Sequence, residues 1–180
     1  MRILVTRPQE DSREISQTLE AMGHDVVAAP LLHIQFYDGP EISLDGVQAI
    51  LATSANGVRA IARRTPRRDV PLFAVGPQTE AEARVAGFAY IKNANGDGAA
   101  LAHATAQWVK PDDGMLLHAA GAQAPKLLVA ELEKRGFAVR REVLYEARAA
   151  QRLPDAAAQA LKNGALDAVM HFSARSARTF

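Results

Sequence analysis

The chain has 180 residues, of which 48% are hydrophobic and 23% are charged, and its formal net charge is +1. This composition supports a folded core, and the near-zero charge excludes a strong electrostatic attraction to nucleic acid or to a membrane surface. The absence of cysteine excludes disulfides, thiolate nucleophiles, zinc–thiolate sites and iron–sulfur clusters.

The first 36 residues predict a βαβ unit followed by a further strand. R-I-L-V-T at 2–6 is a short apolar strand, and the helical pattern after it stops at Gly23. D-V-V-A-A at 25–29 is the second strand, and this order is typical of a parallel sheet. Apolar and polar residues alternate over 31–36, which predicts a half-exposed strand at which the chain crosses to another domain.

The next unit is a strand, a hydroxyl-rich turn and a helix. Residues 48–52 form the apolar strand, Thr53 to Asn56 break it, and an amphipathic helix is predicted from Gly57. Ser54 or Asn56 is the N-cap, because each has a side-chain oxygen for the N–H groups of a first helical turn. A helix N-terminus beside neutral donors can bind an anion, so this turn is a candidate binding site.

Two parts of the chain repeat. Residues 167–180 follow the same strand–serine–helix pattern, with Ser173 aligned to Ser54. Residues 2–27 also parallel residues 115–139, including a Leu and a Gly at the end of each helix. We interpret these echoes as two related α/β halves, with Ser54 and Ser173 facing a common space.

The remaining pattern completes an α/β fold. A long strand at 139–147 is the expected antiparallel partner of 31–36, and the other strands are 71–75, 89–91, 115–119 and 167–172. We predict two related parallel-sheet domains joined by a two-stranded β ladder, formed by about 31–36 and 139–147. The first domain is discontinuous, 1–34 plus 149–180, and the second is 37–146. A final helix stops at Phe180 without a stop signal, so we expect a C-terminally truncated chain and an incomplete first domain.

The sequence contains no pattern typical of a metal, hydrolase or nucleotide site. The five histidines lack ligand spacing, no serine lies in a G-x-S-x-G elbow, and N-G-D-G at 95–98 is not a P-loop. The basic stretch 63–69 is interpreted as a solvated turn rather than a phosphate or nucleic-acid site. Neutral donors instead recur in turns at predicted strand ends, which suits a large ligand with several carboxylates. These turns are 6–8, 53–56, 76–79, 95–98, 120–123 and 172–176.

An ordered series of motifs over the whole chain resembles the uroporphyrinogen-III synthase family. The motifs are V-T-R-P (5–8), A-T-S-A-N-G-V (52–58), A-V-G-P-Q-T (74–79), N-G-D-G-A-A-L (95–101), V-L-Y-E-A (143–147) and H-F-S-A-R-S (171–176). The resemblance implies two α/β domains joined by a ladder. It also implies a lyase of haem biosynthesis that dehydrates and cyclises hydroxymethylbilane, inverting ring D, without cofactor or metal. It further implies a monomer, handed its substrate by the preceding pathway enzyme.

The resemblance also assigns the candidate site residues. Tyr145 matches the tyrosine placed to help the substrate hydroxyl leave, although a packed ladder residue is the competing interpretation. Arg7 matches the T-R-P motif of the first strand, with a role in shape or in carboxylate binding. The donor positions around the cleft are Thr53, Ser54, Thr79 and Ser173.

Other functions stay open from the sequence. A non-catalytic tetrapyrrole-binding or regulatory module would keep the same fold, and an unrelated sugar or nucleotide binder would need acidic or aromatic residues in the turns. The first apolar run has three residues, too short for a signal peptide, and no stretch approaches the roughly 18 apolar residues of a membrane helix. We therefore expect a cytoplasmic protein without nucleic-acid or membrane partners.

Overall fold

The computed structural model describes all residues, 1–180, as alternating strands and helices. The strands are β1 (Arg2–Val5), β2 (Asp25–Ala28), β3 (Leu32–Phe36), β4 (Val47–Ala52), β5 (Leu72–Ala74), β6 (Ile91–Asn93), β7 (Met115–Gly121), β8 (Val139–Ala149) and β9 (Ala168–Met170). The helices are α1 (Gln9–Ala21), α2 (Ala55–Arg64), α3 (Pro77–Val85), α4 (Gly98–Trp108), α5 (Leu127–Glu133), α6 (Asp155–Lys162) and α7 (Ala174–Thr179). None of these helices combines the length and the apolar character needed to cross a membrane.

The chain divides into two compact units, which are described separately. Unit 1 comprises Met1–Gln35 and Ala147–Phe180 and contains a three-stranded parallel sheet in the order β2-β1-β9. Alternate residues of β1 enter two small cores. Leu4 packs in a cluster with Ala157 of α6, and Val5 packs in a cluster with Leu19 of α1. One helix therefore contributes to the core on each face of this sheet.

Unit 2, Phe36–Glu146, contains the parallel part of the larger sheet, whose strands lie in the order β8-β7-β4-β5-β6. The pairs from β8 to β6 are all parallel. One face packs against α2 and α3 through Ile61 and Ala83, and the other packs against α4 and α5 through Leu101 and Leu132. Because both faces are covered, the central strands are apolar throughout, as the run of β4 shows.

The second sequence echo corresponds to the same helix ending in both units. Gly23 and Gly136 have φ angles of +82° and +87°, the left-handed region in which glycine avoids a Cβ clash. Each N–H donates to a glutamate carbonyl three residues earlier, and the next N–H donates to the carbonyl of Leu19 or Leu132. This pattern is the Schellman motif, so the repeated leucine and glycine encode one stop signal.

Some predicted boundaries differ from the structure. The strand predicted at 89–91 is β6, Ile91–Asn93, because Ala89 and Tyr90 bond to Arg68 and Leu72 through backbone groups before the β5 pairing begins. The helix predicted from Gly57 begins at Ala55, because the cap lies further upstream than Gly57.

Arginines at and after the end of α2 donate hydrogen bonds to backbone carbonyl groups. The Arg64 guanidinium donates to the carbonyl of Pro40 at 2.8 and 2.9 Å. Arg68 donates to the carbonyls of Ala62 and Ala86 at 2.9 and 2.7 Å, near the ends of α2 and α3. Cationic side chains at helix C-termini satisfy carbonyls that lack helical partners, so these arginines have a structural use.

Gly57 sets how closely α2 approaches β7. A Cβ at this position would lie 2.6 Å from the backbone carbonyl oxygen of Ala119, a contact that side chains do not make. Since neither backbone can move without disturbing the sheet, the first turn of α2 requires glycine here.

We expect Gly57→Ala to lower the free energy of unfolding by about 1–3 kcal/mol, because the overpacked methyl group meets backbone rather than a flexible side chain. Urea unfolding monitored by circular dichroism measures the change. Gly98→Ala is the matched control in the first turn of α4, where the nearest atom to a new Cβ is 3.9 Å away. Equal stability of the two variants would contradict this account of Gly57.

Candidate functional site

The carboxyl ends of β4, β5, β7 and β8 lie along one edge of the unit 2 sheet. Ala52 at the end of β4 is in register with Ala74 of β5 and with Ala119 of β7. On the other side of β7, Gly121 is in register with Tyr145 of β8. In parallel α/β sheets this edge is where ligands bind, and it brings several predicted site residues together.

Ser54 and Tyr145 form a direct hydrogen bond at this edge. Ser54 Oγ lies 2.7 Å from Tyr145 Oη, and it also accepts the N–H of Gly57 at 3.1 Å. Ser54 is thus the N-cap of α2, while the alternative cap, Asn56, accepts a hydrogen bond from Arg59 instead. The serine that stabilises the helix start therefore also holds the tyrosine hydroxyl.

A glycine makes room for Tyr145. A Cβ on Gly121 would lie 2.7 Å from the Cζ of Tyr145 and 3.0 Å from its hydroxyl oxygen. The ring also packs against Phe36, with centroids 6.3 Å apart. Tyr145 is accordingly both a packed residue and a residue whose hydroxyl reaches the strand ends, so the two sequence interpretations describe the same side chain.

The electrostatics keep the Tyr145 phenol protonated. Burial raises the pKa of Tyr145 above its ordinary value of 10.0, and the hydrogen bond from Ser54 acts in the opposite direction. Either hydroxyl can be the donor across this 2.7 Å contact, and the hydrogen bond favours the phenolate when Ser54 donates. Tyr145 therefore carries a proton at neutral pH, and when Ser54 donates to it the Tyr145 O–H can donate to another acceptor.

Thr53 lies next to Ser54 and contacts a histidine in the core. Thr53 Oγ1 is 3.4 Å from Nε2 of His118, a β7 residue with no exposed surface. Burial, reinforced by the positive charge of Arg141, lowers the pKa of His118 from 6.5 to about 4. His118 is therefore neutral at physiological pH.

Thr79 lies in the first turn of α3 and is 4% exposed. The helix begins at Pro77 with Gly76 as its N-cap, and no side chain caps its first turn. A 2.6 Å ion pair between Arg59 of α2 and Glu82 of α3 holds the two helices together. The structure thus places Thr79 on the helix beside α2, with much less exposed surface than Thr53 or Ser54.

Unit 1 carries a second group of polar residues where β1 and β9 end. Ser173 is the N-cap of α7 and accepts the N–H of Ser176 at 3.0 Å, as Ser54 does for α2. The Arg7 guanidinium lies 4.8 Å from the ring centroid of Phe172, the residue before Ser173. The structure therefore brings Arg7 close to the segment that contains Ser173.

Thr6 and His171 support this second group. Thr6 is fully buried and donates from Oγ1 to the carbonyl of Met170 at 2.8 Å. The same oxygen lies 3.0 Å from Nδ1 of His171, so the ring donates from Nδ1 to Thr6. This hydrogen bond fixes the ring beside the Ser173 turn.

Sequence reasoning missed His118 and Arg141 as site neighbours, and it did not predict the hydrogen bond between Thr6 and His171, although Thr6 and Gly121 lie in predicted turns. His118 was treated as an ordinary core or surface histidine because its spacing fits no metal site, and that reasoning gave no reason to place it beneath Thr53. The available signal was a single histidine inside the apolar run M-L-L-H-A-A of β7. No group of three or more His, Asp or Glu residues in the structure could hold a metal ion.

An open cavity of about 650 Å³ in unit 1 is separate from the predicted site residues. It is lined by His33 and residues 148–154. None of the six predicted site residues lines this cavity.

The family model for uroporphyrinogen-III synthase HemD matches residues 13–180. The chain belongs to the uroporphyrinogen-III synthase family. These enzymes are cyclising lyases of tetrapyrrole biosynthesis, so the resemblance stated from the sequence motifs is confirmed.

Solved structures of similar fold carry the same name. The uroporphyrinogen-III synthetase of Helicobacter pylori is 16% identical with a TM-score of 0.63, covering 100% of this chain and 77% of that chain. A mutant uroporphyrinogen III synthase of the extremely thermophilic bacterium Thermus thermophilus is 16% identical with a TM-score of 0.57, covering 99% of this chain and 75% of that chain. At these identities the likeness shows a common fold. The comparison with curated proteins finds no match.

The synthase-family α/β fold with mainly parallel sheets is thereby confirmed. The geometry adds a chemical description of one part of it. In unit 2 the candidate donors are uncharged hydroxyls, and one of them, Tyr145, is a weak acid held protonated by burial.

The Ser54–Tyr145 hydrogen bond predicts a measurable titration. Because the hydrogen bond with Ser54 lowers the pKa of Tyr145, Ser54→Ala should raise that pKa further. Ultraviolet absorbance titration of tyrosinate measures this, with Tyr145→Phe identifying the transition that belongs to Tyr145. A fall in the Tyr145 pKa after Ser54→Ala would contradict stabilisation of the phenolate by Ser54.

The lowered pKa of His118 predicts acid sensitivity. Between pH 6.5 and about 4 the unfolded chain binds a proton at this ring and the folded chain does not, so stability falls as the pH falls through this window. From pH 7 to pH 5 we expect His118 to account for a loss of about 2 kcal/mol in the free energy of unfolding. Urea unfolding at both pH values should show a smaller loss in His118→Gln, whereas an unchanged loss would indicate that other groups cause it.

Proposed function

We propose that this chain binds hydroxymethylbilane and converts it to uroporphyrinogen III, with loss of water, ring closure and inversion of ring D. The observation that carries the proposal is the protonated Tyr145, held by Ser54 at the carboxyl edge of the unit 2 sheet in a chain of the synthase family. The reaction requires a proton donor for a departing hydroxyl, and Tyr145 has the chemistry for that role.

The first chemical step is loss of the substrate hydroxyl. The C–O bond breaks as Tyr145 donates its proton to the oxygen, which leaves as water, and the electrons of the pyrrole nitrogen form the azafulvenium cation. The Ser54 hydrogen bond stabilises the negative charge that develops on the Tyr145 oxygen. The N–H of Gly57 donates to Ser54 Oγ and orients it, so the backbone of α2 positions the hydroxyl that contacts Tyr145.

The second requirement is geometric. Uncatalysed closure gives the non-inverted type I isomer, so the substituted carbon of ring D must be held near the cation on ring A. Positioning of reacting groups supplies several kcal/mol of such selectivity. We propose Thr53, Ser54 and Thr79 as carboxylate-binding donors of unit 2, where hydroxyls and helix N-termini are available. In unit 1 we propose Ser173 and the Arg7 guanidinium for the same role.

We further propose that the two compact units are the two domains of the synthase, with 1–34 plus 149–180 forming the first and 37–146 forming the second. Strands at about 31–36 and 139–147 would be the antiparallel two-stranded ladder that joins them. The backbone hydrogen bonds from Ala150 to Leu31 and from Tyr37 to Leu144 support this pairing. We propose a cytoplasmic monomer that needs no cofactor and receives its substrate from the preceding enzyme.

A product-isomer assay tests the function. Freshly generated hydroxymethylbilane is incubated with the chain, the product is oxidised, and type I and type III uroporphyrin are separated by chromatography. We expect mostly type III from the wild-type chain. Tyr145→Phe keeps the ring but loses the proton, so kcat should fall about 100-fold, within the range for loss of a general acid.

Tyr90→Phe is the matched control, because Tyr90 is 64% exposed and should tolerate loss of its hydroxyl without a change in kcat. Production of type I alone by the wild-type chain would contradict the synthase function. Tetrapyrrole binding together with only type I product would favour the alternative, a non-catalytic tetrapyrrole-binding or regulatory module.

A further inference from the structure

His118 is a buried titratable residue that the proposed reaction does not use. Its side chain has no exposed surface, and it lies in β7 between the strand that leads to Thr53 and the strand that carries Tyr145. Nε2 is 3.4 Å from Thr53 Oγ1, while Nδ1 is buried and has no hydrogen-bond partner. A separation of 3.4 Å is long, as catalytic hydrogen bonds often are before substrate binds.

The neighbouring strand restricts which ring nitrogen carries the proton. Arg141 of β8 is in register with His118, so both side chains lie on the same face of the sheet. Arg141 donates to the carbonyls of Gly121 and Ala124 at 3.0 and 3.3 Å, and its Nε is buried without a partner. The guanidinium has only donors, so a proton on His118 Nδ1 would leave two buried N–H groups without an acceptor.

An unpaired buried N–H group costs free energy. The tautomer with its proton on Nε2 avoids the unpaired Nδ1–H, because the Nε2–H has Thr53 as its acceptor. With the proton on Nε2, the ring donates to Thr53 Oγ1 and presents an Nδ1 lone pair on the face that holds the Arg141 Nε–H. A threonine hydroxyl that accepts one hydrogen bond keeps its own proton for another acceptor.

We propose that His118 is a positioning residue for the synthase reaction. Its Nε2–H donates to Thr53, and this leaves the Thr53 O–H to donate to a substrate carboxylate. Arg141 supports the arrangement by holding the turn at Gly121. The inference rests on the proposed function for the identity of the acceptor, whereas the direction of the His118–Thr53 hydrogen bond can be tested without activity.

The first experiment determines the tautomer. Long-range proton–nitrogen NMR of the ¹⁵N-labelled chain distinguishes the two neutral forms of histidine, and His118→Gln identifies the His118 signals among the five histidines. We expect the Nε2–H form at pH 7, with no protonation between pH 7 and pH 5. Detection of the Nδ1–H form or of a charged ring would overturn the proposal, whatever product the chain makes.

The second experiment is a double-mutant cycle on the isomer-forming reaction. His118→Phe removes the hydrogen bond and should raise KM about 3- to 10-fold, with kcat within about twofold, because one neutral hydrogen bond to a binding group is lost. Thr53→Ala should raise KM by at least as much. If His118 acts through Thr53, adding His118→Phe to Thr53→Ala should change KM by less than about 1.5-fold.

Two controls separate positioning from packing. Leu116→Val lies on the same face of β7 and should lower the melting temperature without raising KM. His118→Gln retains an N–H donor and should keep KM near that of the wild type, which also provides a readout if His118→Phe fails to fold. The proposal would be overturned if His118→Phe raised KM equally in the wild-type and Thr53→Ala backgrounds. It would also be overturned if His118→Gln failed to preserve KM.

Type I product from the wild-type chain would refute the proposed function by itself. The tautomer measurement would then still decide whether His118 donates to Thr53.

Discussion

The arrangement at the unit 2 edge depends on how closely α2 packs on β7. Gly57 allows the first turn of α2 to lie against the Ala119 carbonyl, which brings Ser54 to the strand ends. Gly121, at the end of the same strand, leaves room for the Tyr145 ring. The two glycines therefore leave the space in which Ser54 and Tyr145 form their hydrogen bond. A larger residue at either position would separate Ser54 from Tyr145 or displace the ring.

The same local devices occur in both units, although the units share little sequence. Ser54 and Ser173 each accept the N–H three residues ahead, and each starts a helix directly after a strand. Gly23 and Gly136 end helices through the same pair of backbone hydrogen bonds. These devices are local, since a cap needs a hydroxyl at one position and a stop needs a residue that tolerates positive φ. Short sequence echoes can therefore carry structural information even where overall identity is low.

The elements could be predicted from the sequence because periodicity and caps are also local. The alternation of apolar strands with helices ending at glycine predicted the parallel sheets and the chain order. The predicted start of β6 was wrong. The residues A-Y-I are apolar enough for a strand, but the register with β5 shows that pairing begins at Ile91. The choice between Ser54 and Asn56 as cap also needed the structure, because Arg59 competes for the Asn56 oxygen.

The site was harder to predict because its neighbours are far apart in sequence. Ser54 and Tyr145 are 91 residues apart, and Thr53 and His118 are 65 residues apart. No periodicity links such pairs, since their proximity follows from the strand order β8-β7-β4. Ser54 was selected as a candidate helix cap and Tyr145 by a family motif, whereas His118 lies in no family motif, and its place beside Thr53 follows only from the position of β7 between β4 and β8.

Neutral donors also suit the charge changes of the proposed reaction. The substrate brings several carboxylates, which fixed cations would bind strongly, but the intermediate is itself a cation that nearby positive charges would destabilise. The hydroxyls and helix N-terminus at the unit 2 edge stabilise carboxylates through dipoles and themselves add no full positive charge next to the azafulvenium. A protonated His118 beneath Thr53 would add such a charge. The burial that keeps this ring neutral therefore serves the same electrostatic requirement as the burial that keeps the Tyr145 phenol protonated.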